Sequence, residues 1–544
     1  MMENEVTAPE EKGVLLEENC RLSESLIWGF QRVAYQANGI ENWRQGTLPY
    51  YVTCNPFIAA AYARVVFAFF RDCYELMRAP GADSAGLRAD QPIYIVELGS
   101  GTGRFAHFFL REFARLHDHS RLKTIPYRYV MTDFTAANIS YWRDHEQLQP
   151  FIEAGVLDFA SFDVEKDRVL QLQLSGQTLT PEQAANPIAV IANYVFDSVP
   201  QDLFRIENGK LYERLSTIHS SQPEPDLTDP ELISRIEISY HNELVEHGPY
   251  ASDSFNQVLH EYQERLANTD LLFPTLALQC LERWRQLANG RLLLLTGDKG
   301  YSREEDLLYL EEPYIATHGP VFSMMVNYHA FGRYVALQGG QTYHPRLRHI
   351  SLNISAFLLG FSAEEAVETR AAYSSAIDEM SPDDFFLLVT SLQENGTVLP
   401  PETALALIRL SQWDSEVLLR NLPAFLETIA DAPEPFKEEL YWAICQVWDN
   451  YYPIGEEWDL AFYIGMLLYQ MRYFHQALTF LGRSLQLYGE NATTFHNMAL
   501  CHYGLHEKDE SLRYVEKALA LDPEFDAAKG LRLKLQTEQA RFRR

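Results

Sequence analysis

The sequence predicts an α/β protein, a mostly parallel sheet flanked by helices, followed by an all-α region. Three observations carry that prediction. Between residues 92 and 298, short runs rich in β-branched and aromatic residues alternate with longer amphipathic stretches, as in a parallel sheet joined by right-handed crossovers. Beyond residue 363 nearly every segment has helical periodicity. The last of these segments repeats at a period of 34 residues.

Residues 1–17 read as a disordered tail. Residues 18–38 and 57–79 read as helices, the second (FIAAAYARVVFAFFRDCYELMR) apolar enough to be largely buried, so 18–91 forms an N-terminal helical segment of the first domain. It closes on an Ala, Gly, Pro and Asp connection at 80–91. The sheet domain, 92–362, begins with IYIVEL and continues through YRYVMTD, VLDFASFD and IAVIANYVFD, with FAHFFLREFARL and AANISYWRDH as intervening helices. RLLLLTGD at 291–298 reads as a further central strand. The stretch 216–290 is too long for a plain connection and is expected to be an inserted helical subdomain or lid.

Residues 363–457 read as a helical linker domain and 458–544 as paired helices. Segments 458–491 and 492–525 align Gly465 with Ala499, Ala477 with Ser511, Leu478 with Leu512 and Leu485 with Leu519, and Pro523 closes the second unit. The period, with small residues where helices cross, resembles tetratricopeptide (TPR) repeats. Arrays of that kind form concave grooves, so a protein or peptide partner is expected there. Two units alone cannot bury their faces, and the helices of 365–455 must complete the stack.

A content of 47% hydrophobic and 22% charged residues is that of a folded globular chain, and 544 residues make two or three domains. The formal net charge of −30 repels phosphate backbones and anionic lipid, which argues against nucleic acid or a membrane surface as partner. Six scattered cysteines at 20, 54, 73, 280, 445 and 501 have no zinc-site spacing, so no metal site is expected and a reducing, cytoplasmic setting fits. The acidic N-terminus does not read as a targeting peptide, and no apolar run approaches the roughly 18–20 residues of a membrane span.

Glu97-Leu98-Gly99-Ser100-Gly101-Thr102-Gly103 follows a strand and opens a helix. Glycines there let the backbone turn sharply and approach a ligand, and the free N–H groups at the helix start receive an anion. Dinucleotide enzymes place GxGxxG at the same point, but here no third glycine stands three residues after Gly101 and an acid precedes the first glycine by two. ExGxGxG is the pattern of S-adenosyl-L-methionine sites, so Glu97, Gly99, Ser100, Gly101 and Gly103 are expected to bind that cofactor; a tight turn without ligand is the bland alternative. Asp133, ending the second strand, is placed for the ribose hydroxyls and Asp163, ending the third, for the adenine amino group. Asn193 and Asp197, at the mouth of the fourth strand, are the candidate catalytic pair that orients the methyl acceptor, with Asp197 the better base. Tyr194, Asn327 and His329 are expected near the same cleft.

From about residue 50 to 360 the chain resembles the MidA-like methyltransferases, a family that includes a mitochondrial complex I assembly factor methylating an arginine of a respiratory subunit. The likeness rests on Tyr50-Tyr51-Val52-Thr53, VELGSGTGRF, NYVFDSVPQDLFRIENGKLYER at 193–214, LLLLTGDKG and MMVNYHAFGRYVALQGG at 324–340. It implies a Rossmann-like class I methyltransferase using S-adenosyl-L-methionine. The family's fourth strand ends Asn-Glu-Leu-Phe-Asp-Ala-Leu-Pro, whereas this chain has Asn193-Tyr194-Val195-Phe196-Asp197-Ser198-Val199-Pro200. Tyr194 thus replaces a carboxylate suited to a guanidinium. Arginine as acceptor does not carry over with the fold.

Three functions are open to such a sequence: transfer to a protein or peptide side chain presented with help from the C-terminal helices, transfer to a small molecule, or a non-catalytic scaffold. The intact glycine motif argues against the last.

Overall fold

The computed structural model describes residues 13–44, 51–78, 88–224, 226–229, 231–349, 351–394, 398–456 and 458–542. The chain divides into two compact units, Met1–Phe386 and Leu387–Arg544.

Five strands of the first unit run parallel: Ile93–Leu98, Tyr127–Asp133, Leu157–Ser161, Ile188–Asn193 and Leu292–Asp298. Their spatial order is third, second, first, fourth, fifth. Asn353–Leu359 lies antiparallel beside the fifth, and Gln341–Tyr343 antiparallel beside that. The central strands are buried along almost their whole length, which is why they read as continuous apolar runs and do not alternate. Helix Pro56–Arg78 is buried through Ile58, Val65, Phe69 and Phe70, and Phe70 meets Phe113 of helix Arg104–Asp118 edge-on at 5.0 Å. After the first strand the chain moves to one side of the sheet, and the fourth strand returns to the other. The crevice between their carboxyl ends is where open sheets of this kind bind ligands.

Three expectations are corrected. The stretch 216–290 is not a helical insertion: Lys210–Ser220 pairs with Ile236–Leu244 along nine positions and with Asp202–Glu207, which pairs with Thr269–Phe273. Helices Asp253–Arg265 and Thr275–Leu287 complete the region. Ile-Glu-Ile-Ser-Tyr-His alternates in its burial as a half-covered strand must, a period of two within a stretch too long to suggest a hairpin. Residues 14–17, expected in the disordered tail, are also placed otherwise. Residues 1–12 lie outside the described residues, but Val14–Cys20 is a strand on Lys210–Ser220, and the helix expected from residue 18 begins at Leu26 behind a Ser25 cap. Glu17 fixes that entry: its carboxylate accepts from Ser25 Oγ at 2.5 Å and from the Leu26 N–H at 2.8 Å.

The first unit extends beyond the expected boundary at 362. Asp72, on the long buried helix, accepts from the Glu368 and Thr369 N–H groups and from Thr369 Oγ1, capping helix Val367–Tyr373. Phe385 stacks on Phe57 at 4.3 Å.

In the second unit, helices Pro401–Leu410, Ser415–Thr428, Glu434–Asn450, Leu460–Gln470, Phe474–Tyr488, Ala492–Gly504, Lys508–Leu521 and Asp526–Phe542 follow one another, the last five through short turns. The small residues of the 34-residue repeat sit at crossings: a Cβ on Gly465 would come within 2.8 Å of Leu481, and Ser511 Oγ donates to the Ala499 carbonyl at 2.8 Å. Among the described residues no helix is long and apolar enough to cross a membrane, and no group of His, Cys, Asp and Glu is arranged to hold a metal ion.

Candidate active site

One cleft crosses the carboxyl edge of the parallel sheet, with about 220 Å³ of water-accessible space. Its floor is the glycine turn. Gly99, Gly101 and Gly103 have φ of 63°, 52° and 81°, a left-handed backbone that an L side chain resists. The turn is fixed by hydrogen bonds from Ser100 N–H to the Thr132 carbonyl and from Gly103 N–H to the Ser100 carbonyl, each 2.8 Å. Glu97 is the penultimate residue of its strand, 5% exposed, where its Oε2 accepts from Ser100 Oγ at 2.7 Å. Burial pushes its carboxyl up to about 7, although the Ser100 hydroxyl works the other way.

The nine residues expected to bind the cofactor or form the catalytic pair all reach this region, and all but Gly103, which caps the helix opening beside it, line the cleft. Asp133 Oδ1 accepts from the Thr135 N–H at 2.8 Å and Oδ2 from Asn138 Nδ2 at 2.9 Å, which hold the carboxylate while burial raises its pKa. Asp163 is differently engaged. Arg32 grips it through both guanidinium arms, and although burial opposes ionisation, the guanidinium holds this carboxyl below its usual range. The Glu165 N–H, 3.0 Å from Oδ1, adds a backbone donor to the same carboxylate.

Asn193 Oδ1 accepts from the Tyr62 hydroxyl at 2.8 Å, while its buried Nδ2 has no hydrogen-bond partner among the described residues. Tyr194 follows at φ 53°, a strained conformation for a large side chain, with its N–H on the Gly297 carbonyl at 3.0 Å. Asp197 is 6% exposed and accepts from Ser198 Oγ at 2.8 Å; burial raises it to about 6, with Ser198 and the Lys299 ammonium opposing the rise. Behind it Asp298 is fully buried and raised further, by burial and then by the Asp197 charge. Asn327 and His329 do not join the cleft. Asn327 caps helix Tyr328–Leu337, and His329 Nδ1 meets the Tyr262 hydroxyl at 2.8 Å.

Sequence reasoning missed the roof. Trp28, Gln31, Arg32 and Tyr35 line the cleft from one face of helix Leu26–Asn38, at the i, i+3, i+4, i+7 spacing that was there to be read. Gln31 bridges two walls: its Nε2 donates to the Ser198 carbonyl at 2.9 Å and its Oε1 accepts from the Phe322 N–H at 3.0 Å. Trp43, Lys299, His318 and Phe322 complete the lining. Lys299 directly follows the fifth strand, a position that could have been inferred from the strand's end alone. Burial, and then Lys299, lower His318.

The arrangement suits one ligand. A left-handed glycine turn leads to a helix start for a carboxylate, an acid ends the second strand for ribose, aromatic Phe134 and Phe162 flank a base, and an unspent donor waits at Asn193. A family model agrees with it. A family model described as "Putative S-adenosyl-L-methionine-dependent methyltransferase" matches residues 73–313. Among solved structures, an uncharacterized superfamily protein from Burkholderia thailandensis aligns at 12% identity and TM-score 0.38, covering 65% of this chain and 90% of that one. A superfamily member from the same organism, bound to S-adenosyl-homocysteine, aligns at 13% identity and TM-score 0.40 with the same coverage. The CurJ carbon methyltransferase aligns at 13% identity and TM-score 0.23, over half of each chain. No curated protein matches. The family match spans the strand ends that build this cleft, from Glu97 to Lys299, and the chain is an S-adenosyl-L-methionine-dependent methyltransferase.

Proposed function

We propose that the acceptor is a side chain of a protein or peptide, held with help from the C-terminal helices, and that the catalytic fold is the Rossmann-like class I type of the MidA-like enzymes. The strand order third, second, first, fourth, fifth is that of a doubly wound sheet, and the paired helices from Leu460 onward are consistent with TPR-like units. The single observation that carries the transfer reaction is continuity, one cleft running from the glycine turn past Asp133 to the Asn193–Asp197 mouth, while the protein acceptor rests on the paired C-terminal helices.

The cofactor supplies an electrophilic methyl group. The chain's own residues do the rest. N–H groups of the glycine turn receive a carboxylate, Asp133 accepts from ribose hydroxyls, and Phe134 and Phe162 flank the base. Asn193 Nδ2 donates to an oxygen beside the reacting atom, and the Asp197 carboxylate, mostly ionised at neutral pH, takes the proton that the acceptor releases. Holding nucleophile and methyl in line is worth roughly 7–11 kcal/mol. Trp28, Gln31 and Phe322, closing over the acceptor end, keep water out.

That same closure favours the second reading, a small-molecule acceptor. Incubation of the enzyme and tritiated-methyl cofactor with cell extract separates the two. Label in acid-precipitable protein, lost in Asp197→Asn, supports the first; label confined to the soluble fraction overturns it.

A further inference from the structure

We propose that the helices between residues 401 and 450 carry a docking site for a basic polypeptide segment, one lysine or arginine side chain of which enters the corner formed by Trp413 and Trp442. This deepens the partner reading above by giving the partner its chemistry and moving its seat away from the 34-residue repeats.

The indoles of Trp413 and Trp442 meet at 89° with centroids 4.9 Å apart, and Trp442 keeps 54% of its surface exposed. Tryptophan is the residue most often found as a binding anchor, and its face attracts a cation electrostatically. The corner is built and held. Trp413 follows Gln412 in the turn between helices Pro401–Leu410 and Ser415–Thr428, and both have left-handed backbones, at φ 65° and 61°. Ser411 Oγ donates to the Ile408 carbonyl at 2.8 Å and accepts from the Asp414 N–H at 3.2 Å. Asn450 Nδ2 ties the turn to the Trp442 helix through the Gln412 carbonyl at 3.1 Å.

Charge names the occupant. From Glu394 to Asp459 the sequence has thirteen acidic residues against Arg409, Arg420 and Lys437. Lys437 is buried on the Ala430 carbonyl, and Arg420 faces Glu416. From Leu460 to the end the balance reverses, with nine acidic residues against eleven basic ones. The negative charge of this unit is therefore gathered on the helices that carry the tryptophans. Glu438, Trp442 and Asp449 stand exposed at i, i+4 and i+11 on helix Glu434–Asn450, one face of that helix, with Glu439 beside them 4.0 Å from Arg409. An anionic partner is repelled by such a face, and a neutral apolar one leaves its acidic rim unused. A chain bearing lysine or arginine uses both parts.

The test is fluorescence anisotropy of a short labelled peptide of alternating glycine and lysine, titrated with the full-length protein without cofactor, so its outcome is independent of methyl transfer. The expected result is binding that weakens as salt rises and is absent for the same peptide with acetylated lysines. Affinity should fall about tenfold in Trp442→Ala and by no more than about threefold in Trp442→Phe, which keeps an aromatic face. Circular dichroism reports whether Trp442→Ala is folded; if it is not, Glu438→Gln with Asp449→Asn, which leaves the core alone, must weaken binding instead. No binding to the wild-type chain overturns the proposal. So does a folded Trp442→Ala protein that binds within twofold of wild type, or equal binding of the acetylated peptide.

Discussion

Arg32 holds Asp163 through both arms of its guanidinium, with Nη1 3.4 Å from Oδ1, while its planar head lies 4.8 Å over the ring of Phe134. One residue of the roof helix thereby closes the base end of the cleft onto two strand ends. A partly exposed ion pair of this sort contributes up to about 1 kcal/mol. Arg32→Ala is therefore expected to release S-adenosyl-homocysteine about fivefold faster, in stopped-flow traces of the Trp28 and Trp43 fluorescence. Slower release would show that Asp163 is the adenine acceptor the sequence suggests and that Arg32 competes for it.

Gly101→Val should abolish cofactor binding while leaving the fold intact. A Cβ at Gly101 would stand 3.1 Å from Trp43 Cζ2, and the φ of 52° disfavours a branched residue. A non-glycine residue forced into that region costs on the order of 1–3 kcal/mol locally, too little to unfold a domain with this much buried core. Calorimetric titration beside a thermal melt checks both halves. Unchanged affinity would remove the turn from the cofactor site.

The strands of the main sheet, the glycine turn and the acids at the strand ends were legible because each depends on residues within one short segment. Strand Ile93–Leu98 announces itself by an apolar run that only Glu97 interrupts, and Gly99–Gly103 by spacing alone. The second sheet was not legible, since Val14–Cys20 acquires its strand character only from pairing with Ser216–Ser220, some two hundred residues away. The roof was half-legible: the helical face of Trp28, Gln31, Arg32 and Tyr35 is in the sequence, but its target is a long-range fact. The ion pair of Asp163 was not legible for the same reason, because Arg32 lies 131 positions earlier.

Glu97 links stability to pH. Its folded-state carboxyl, raised by burial from 4.5 to about 7, binds its proton more tightly than the unfolded chain does. That preference stabilises the protein at low pH and is lost as pH rises from the unfolded value through about 7. Glu97→Gln keeps an acceptor for Ser100 without the buried charge. It is expected to melt higher than wild type at pH 8, by about 1–3 kcal/mol of stability, and near wild type at pH 4.5. Its affinity for S-adenosyl-homocysteine should nevertheless fall at pH 8. Equal melting temperatures at both pH values would mean that Glu97 ionises normally in the folded protein.

The boundary of the catalytic unit sets the last expectation. Helix Val367–Tyr373 is tied to the buried helix by three hydrogen bonds to Asp72, two of them from Thr369. Burial raises the Asp72 carboxyl, and the Thr369 and Glu368 donors hold it down. Further along, Asp383 accepts from the Ser351 N–H at 3.1 Å and lies 3.4 Å from His349, and Phe385 stacks on Phe57. A chain ending at residue 362 strips these partners and uncovers the part of the long helix on which Val367–Tyr373 packs. Losing those hydrogen bonds together with the burial of Tyr373, Ile377 and Phe385 costs several kcal/mol, a large part of what a domain of this size retains. That truncation is expected to be insoluble or to melt without cooperativity. A chain ending at Glu394, at the close of helix Pro382–Glu394, keeps every one of these contacts and should bind S-adenosyl-homocysteine within about twofold of the full protein, because each cleft-lining residue lies before it. Calorimetric titration and a thermal melt of both truncations decide the matter. A stable 362-residue chain would show that the Asp72 lock is dispensable, and loss of binding in the longer one would place part of the cofactor site beyond Glu394.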